Sequence, residues 1–233
     1  MMDFSYIAEN YKRIAYNIGE AKAKYRKPDE EIRLMAVTKT VPADAVNYAI
    51  DECGINLLGE NRVQEYLSKK ELYRENAEVH IIGHLQSNKV KYIIDSISLI
   101  QSVDSLKLAE EINRHAMKIN KIQNVLIEIN IGGEDSKSGI SAKQLTELIE
   151  NVSALPNVRI KGLMTIPPVN SGEKFLAEMH ELYLDIRDKN IDNVDMDILS
   201  MGMSGDYELA IKHGSNLVRI GTALFGARNY SLK

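Results

Sequence analysis

Residues 33–53 read Arg33-Leu34-Met35-Ala36-Val37-Thr38-Lys39-Thr40-Val41-Pro42-Ala43-Asp44-Ala45-Val46-Asn47-Tyr48-Ala49-Ile50-Asp51-Glu52-Cys53. The first part is a short, mostly apolar run that predicts a strand over 33–38; Pro42 marks the turn, and helical spacing of apolar residues follows over 43–52. The same unit recurs along the chain. Strand-like runs stand at 56–58, 79–82, 99–101, 124–130, 159–164, 196–200 and 216–220, and with 33–38 they make eight. Helical patterns fill the gaps at 63–74, 88–95, 105–118, 142–151, 173–189 and 206–213, and the last strand leads into a helix over 222–227. Strict alternation implies a parallel sheet with right-handed crossovers, and eight units in about 200 residues close a (β/α)₈ barrel. Before them, Phe4, Ile7, Tyr11, Ile14 and Ile18 recur at steps of three or four, so an additional amphipathic helix precedes the barrel and ends before Pro28. The expected fold is therefore α/β: one barrel domain over residues 1–233 with an extra N-terminal helix. An open, doubly wound sheet is the runner-up.

Composition narrows the function. Lys and Arg number 29 against 33 Asp and Glu, a net charge of −4, so no global basic field exists to hold nucleic acid. With 44% hydrophobic residues the chain is rich enough in apolar surface to fold unaided. Cys53 is the only cysteine, which excludes an intrachain disulfide and a zinc site of several thiolates and suits a reducing compartment. Asp3, Glu9 and Lys12 interrupt the place of a signal peptide, and no apolar run reaches membrane-spanning length. A cytoplasmic protein without nucleic-acid or membrane partners is expected.

Barrel chemistry collects on the loops after the strands. Period-two alternation puts Lys39 on the face of Met35 and Val37, at the barrel mouth, where lost hydration favours the neutral amine that attacks carbonyls. The competing reading is a lysine that snorkels to solvent. The seventh strand is followed by Ser200-Met201-Gly202-Met203-Ser204-Gly205-Asp206 and the eighth by Gly221-Thr222. Such paired loops form the recurrent phosphate site of barrel proteins, though helix capping by Ser204 accounts for the same residues. Arg219 alternates with Leu217 and so shares the interior face; its bland alternative is a surface ion pair. Met164 reads first as packing, with a thioether contact to an aromatic ligand as the alternative. Asn61, in Gly59-Glu60-Asn61-Arg62-Val63-Gln64-Glu65, and Ser87, in Gly83-His84-Leu85-Gln86-Ser87-Asn88-Lys89, read equally as ligand contacts or helix caps. The loop 132–139 has no P-loop spacing and reads as a mobile solvated turn. His80 and His84 lack partners for a metal site, and no Gly-x-Ser-x-Gly elbow is present. Lys39 and the two loops together point to a phosphorylated carbonyl compound.

The segments AVTKT, GENRVQE, HIIGHLQSNK, GLMTIPP, LSMGMSGD and RIGTALFGAR occur in this order over nearly the whole chain. They closely resemble the pyridoxal 5′-phosphate (PLP) homeostasis proteins of the YggS/PROSC type, which share the barrel of the alanine racemase N-terminal domain. The resemblance implies PLP held as a Schiff base on Lys39, a phosphate cradle of Ser200, Ser204, Gly221 and Thr222, Arg219 against the pyridine nitrogen, and Asn61 and Met164 near the ring. His84 and Gln86 belong to the family signature without an assigned role. It further implies a carrier or regulator without substantial turnover, because an arginine at the ring nitrogen weakens the electron sink on which PLP chemistry relies. Alanine racemase works with the same arginine but adds a base from a C-terminal β domain of its partner subunit, whereas this sequence ends at Lys233, after the last barrel helix. The expected partners are PLP, other B6 vitamers and PLP-dependent apo-enzymes, with the chain a monomer or weak homodimer. The alternatives are a fold-type III PLP racemase or lyase and, more distantly, a cofactor-free Schiff-base aldolase.

Overall fold

The computed structural model describes residues 3–227. Eight parallel strands close a barrel in chain order: β1 (Arg33–Val37), β2 (Leu57–Glu60), β3 (Glu78–Ile81), β4 (Leu99–Val103), β5 (Gln123–Ile129), β6 (Val158–Thr165), β7 (Val194–Ser200) and β8 (Leu217–Ile220). The open-sheet alternative is thereby excluded, since β1 pairs with both β2 and β8. Around the barrel run α2 (Ala43–Cys53), α3 (Val63–Lys69), α4 (Leu106–Met117), α5 (Leu145–Ser153), α6 (Lys174–Asp188), α7 (Tyr207–Lys212) and α8 (Thr222–Phe225). The extra helix α1 (Ser5–Tyr25) buries Ile7, Ile14 and Ala21 and packs against α7, α8 and α2.

Strand alternation sorts the apolar residues into two layers. Ala36, Leu58, Val218 and Ile220 join the helices in the large outer core, while Met35, Val37, Leu57, Ile82 and Leu217 form a separate cluster inside the barrel with Ile198. Leu99, Leu126 and Met164 make a second interior cluster. The interior phase expected for Met35, Val37 and Arg219 follows from the β1–β8 register, in which Met35 stands opposite Arg219.

Four local expectations are corrected. The second strand runs on through Gly59 and Glu60 instead of stopping at Leu58. Gly59 makes this possible, because a Cβ there would lie 2.6 Å from Met35 Sδ. The segment predicted as an α-helix over 88–95 is a 3₁₀ helix, Ser87–Tyr92; its i to i+3 spacing stacks Val90 and Ile93, both fully buried, on one side of a short crossover. The helix expected over 63–74 breaks into α3 and a 3₁₀ turn, Lys70–Leu72. The loop 132–139 is pinned rather than merely solvated: Asn130 Nδ2 donates to Glu134 O at 2.8 Å and to Lys137 O at 3.2 Å, and Asn130 Oδ1 accepts the Glu134 N–H at 3.1 Å.

Candidate functional site

Lys39 lies just past the end of β1, half-buried, in a turn whose next residue, Thr40, has φ 63°. A threonine in that left-handed region is strained, so the turn must be held from outside. It is. Thr38 is fully buried and donates its hydroxyl to Glu60 Oε1 at 2.8 Å, while its N–H reaches Gly59 O at 3.0 Å. Lys69 Nζ donates to Thr38 O at 3.0 Å, to Glu60 Oε1 at 3.3 Å and to Glu65 Oε1 at 2.6 Å. Glu65 Oε1 also accepts the Thr40 N–H at 2.5 Å, and Tyr73 donates its hydroxyl to Glu60 Oε1 at 2.5 Å. A buried carboxylate, its ammonium partner and a phenol thus grip the backbone on both sides of Lys39. Burial, with the Glu60 charge beside it, pushes the Tyr73 phenol upward, so it stays a donor.

On the adjacent strand β8, Arg219 is 3% exposed. Its Nη1 donates to Ser200 Oγ at 2.6 Å and its Nη2 to Thr165 O at 2.7 Å. Burial lowers its pKa to about 10, which still leaves it cationic at neutral pH. Glu128 shares this interior. Burial, then the Asp104 charge, raises its pKa to about 7, with Arg219 opposing the rise; its Oε2 has no hydrogen-bond partner.

The two loops expected to bind phosphate meet. Ser204 Oγ accepts the Ala223 N–H at 3.2 Å, tying the β7 loop to the first turn of α8. Ser204 does not cap its own helix, since Asp206 holds that place and accepts the Met203 N–H at 2.7 Å. Gly221 lies against the end of β1; a Cβ there would meet Val37 Cβ at 3.4 Å. Thr222, the first residue of α8, is exposed.

Ser200 sits apart from this group. Its side chain is fully buried inside the barrel, where it accepts from Arg219 and donates to Gln101 Oε1 at 2.7 Å. Met164 is likewise fully buried, packed with Leu99 and Leu126. Asn61 caps nothing: α3 begins after Arg62 without a side-chain cap, and Asn61 Oδ1 is a buried acceptor with no partner. Ser87 is not a cap either, because Gln86 precedes the 3₁₀ helix. Asn61 and Glu128 both line a cavity of about 270 Å³, together with Ile82, Gly83, His84 and Ile166. His84 is exposed and places Nδ1 3.5 Å from Asp104 Oδ2; Gln86 is also exposed. Among the described residues no group of three His, Cys, Asp or Glu side chains could hold a metal ion, and no helix is long and apolar enough to cross a membrane.

Sequence reasoning missed the Glu60, Glu65, Lys69 and Tyr73 grip and the interior polar residues His80, Gln101 and Glu128. A signal for the latter existed: Glu128 interrupts Val125-Leu126-Ile127-Glu128-Ile129 at the phase of Leu126, and Gln101 stands at the phase of Leu99. Polar residues at interior positions of a barrel strand mark a site.

The alanine racemase N-terminal domain family matches residues 10–229. A pyridoxal phosphate homeostasis protein of Aquifex aeolicus is 42% identical over 225 residues, covering 95% of this chain and 98% of the relative. A solved structure of an unknown protein from Bifidobacterium adolescentis superimposes with a TM-score of 0.91 at 32% identity, over 97% of this chain and 98% of that one. PipY of Synechococcus elongatus, solved with PLP bound, gives a TM-score of 0.78 at 30% identity, over 91% of this chain and 100% of that one. With a barrel built around an interior arginine, a gripped lysine at its mouth and this likeness along nearly its whole length, the chain belongs to the pyridoxal phosphate homeostasis protein family, on the barrel of the alanine racemase N-terminal domain.

Proposed function

We propose that the chain binds PLP through Lys39 and serves as a carrier that holds and releases it, without substantial turnover of its own. The observation that carries this reading is the pairing of a half-buried lysine, fixed in a strained turn, with a buried cation at the end of β8 on the neighbouring strand. The residues suit the group. Ser204, Gly221, Thr222 and the N–H groups opening α8 would take the phosphate, Arg219 would face the pyridine nitrogen, and the unpartnered Asn61 Oδ1 offers a buried acceptor beside the ring. Ser200 contributes through Arg219, its hydroxyl being committed on both sides, and Met164 supports the floor by packing.

PLP supplies an aldehyde that a lysine amine can capture reversibly, and a ring able to accept carbanion charge. The Glu60, Glu65 and Lys69 grip holds the backbone of the Lys39 turn and spends the strain of Thr40 on presenting that one amine. Arg219, always a donor, would offer a hydrogen bond and not a proton to a ring nitrogen, so a bound ring would be a weak acceptor of charge. That favours capture and release over amino-acid chemistry. Exchange partners on this reading are PLP-dependent apo-enzymes, with other B6 vitamers as further ligands and the cytoplasm as the compartment. The buried Cys53, whose thiol burial pushes up, agrees with a reducing environment.

The test is a visible spectrum of the purified chain with added PLP beside that of Lys39→Ala. Wild type should develop an absorption band that the variant lacks; equal spectra would remove Lys39 as the attachment point. A second reading, a PLP racemase or lyase, is favoured by Glu128, a carboxyl that lines the cavity and that burial pushes up to about 7, within reach of proton transfer at neutral pH. Exchange of the α-proton of a small amino acid into solvent at an enzymatic rate would establish that reading.

A further inference from the structure

The interior of the barrel holds a chain of hydrogen bonds in which every proton is assigned by its neighbour. A guanidinium can only donate, so Ser200 Oγ accepts from Arg219 Nη1 at 2.6 Å and has its own proton left for Gln101 Oε1, 2.7 Å away. With its oxygen so used, Gln101 turns its amide N–H groups towards His80 Nδ1 at 2.9 Å. His80 must then accept at Nδ1 and carry its proton on Nε2, which donates to Glu78 Oε1 at 2.9 Å. Arg33 Nη2 closes the chain on Glu78 Oε2 at 2.5 Å. Ser200, Gln101 and His80 are each no more than 1% exposed, so water does not compete for these bonds. Glu78 and Arg33 open β3 and β1, at the end of the barrel opposite the mouth, and the chain crosses from there through β4 and β7 to β8. From Arg219 to Glu78 the donors all point one way, from a cation to a carboxylate that Arg33 meets from the other side, an arrangement in which each bond polarises the next. Burial pushes the His80 pKa down, towards the neutral ring that the geometry requires, and the His80 and Arg33 bonds hold Glu78 well below the usual carboxylate range, at about 2.

We infer that Gln101 and His80 are positioning residues of the binding site: through Ser200 they lock the rotation of the Arg219 guanidinium and decide which of its N–H groups remain for a ligand at the mouth. The part that concerns PLP rests on the function proposed above; the relay itself does not. It accounts for His80 and Gln101, two buried polar side chains inside the barrel that make no hydrogen bond to the Lys39 turn or to the Ser204 and α8 loops.

The experiment uses the full chain with ¹⁵N-labelled histidine and arginine, as wild type, Gln101→Met and Gln101→Glu. Methionine fills the space without either hydrogen-bonding end; glutamate keeps an acceptor for Ser200 but offers no N–H to His80 Nδ1. In wild type, the His80 resonances should report a neutral ring protonated on Nε2, and the Arg219 side-chain N–H signals should exchange slowly. In Gln101→Met the Arg219 signals should exchange faster, the visible maximum of added PLP should shift, and its release to an apo-enzyme acceptor should quicken roughly tenfold, the equivalent of one lost hydrogen bond to a charged group. Borohydride fixation of PLP on Lys39 should stay stoichiometric in that variant. Gln101→Glu should restore slow release while changing the His80 tautomer. A folded Gln101→Met chain with wild-type Arg219 exchange, maximum and release overturns the inference. If Gln101→Met does not fold, Gln101→Glu decides, and an unchanged His80 tautomer there overturns it. A wild type that takes up no PLP defeats the proposed function, and the Arg219 and His80 resonances then judge the relay alone.

Discussion

The two sides of the site are held by opposite means. Around Lys39 the partners are mostly charged and close in sequence: Glu60 comes from β2 and Glu65 and Lys69 from α3, beyond the intervening α2, and the longest separation among these bonds is the 31 residues between Lys69 and Thr38. Around Arg219 the partners are mostly neutral and remote, with 99 residues between Ser200 and Gln101 and 54 between Arg219 and Thr165. This grip forms once two consecutive β-α units pair, and it tolerates charges because Lys69 brings the counter-ion with it. The remote network exists only when the barrel closes. Inside a closed barrel, neutral hydrogen-bonding groups avoid the desolvation cost of further ions. The difference teaches that the Lys39 turn is held by two consecutive units, whereas the Arg219 side chain is held by strands brought together by the whole fold.

The comparison breaks first at Glu60. Glu60→Ala leaves Tyr73, Thr38 and part of Lys69 without their shared acceptor and should cost about 3–4 kcal/mol in denaturant unfolding; a loss under 1 kcal/mol would show that the grip is decorative. Glu128 comes next. Its pKa is raised from 4.5 to about 7 in the folded chain, so the native state binds the extra proton, and stability falls as pH rises from about 4.5 through 7. Glu128→Gln should abolish that fall and stabilise the protein at pH 8 by on the order of 3 kcal/mol, read as a difference in unfolding free energy between pH 5 and pH 8. At the loops, Ser204→Ala removes one hydroxyl from the proposed phosphate cradle and should weaken PLP binding roughly tenfold in a titration, with little change in unfolding. The smallest effect belongs to Thr40→Gly. Relief of the φ 63° conformation outweighs the added freedom of the unfolded glycine, for a net gain of about 0.5 kcal/mol in thermal unfolding.

How much was legible beforehand varies with the physics. Strand alternation is a local property, so the interior phases of Met35, Val37 and Arg219 could be read from the chain, as could the eight units of the barrel. Gly59 was misread as the start of a loop because its role, admitting Met35 Sδ, depends on a neighbouring strand. Ser204 stands where the β7 loop meets α8, but its bond to Ala223 cannot be distinguished from ordinary capping in sequence without the approach of α8. Ser200 and Ser204 looked alike in sequence; one pleat of alternation turns the first into the barrel, towards Gln101 and Arg219.

By itself the sequence determined the repeating β-α unit, the closure of eight of them, and the interior phase of Arg219 and its place beside Met35, because periodicity and turn chemistry act over a few residues. Tertiary structure alone decided how the Lys39 turn and the Arg219 side chain are held. Only when β3, β4, β7 and β8 enclose one dry interior do His80, Gln101, Ser200 and Arg219 come within hydrogen-bonding reach, and a proton on one then dictates the proton on the next.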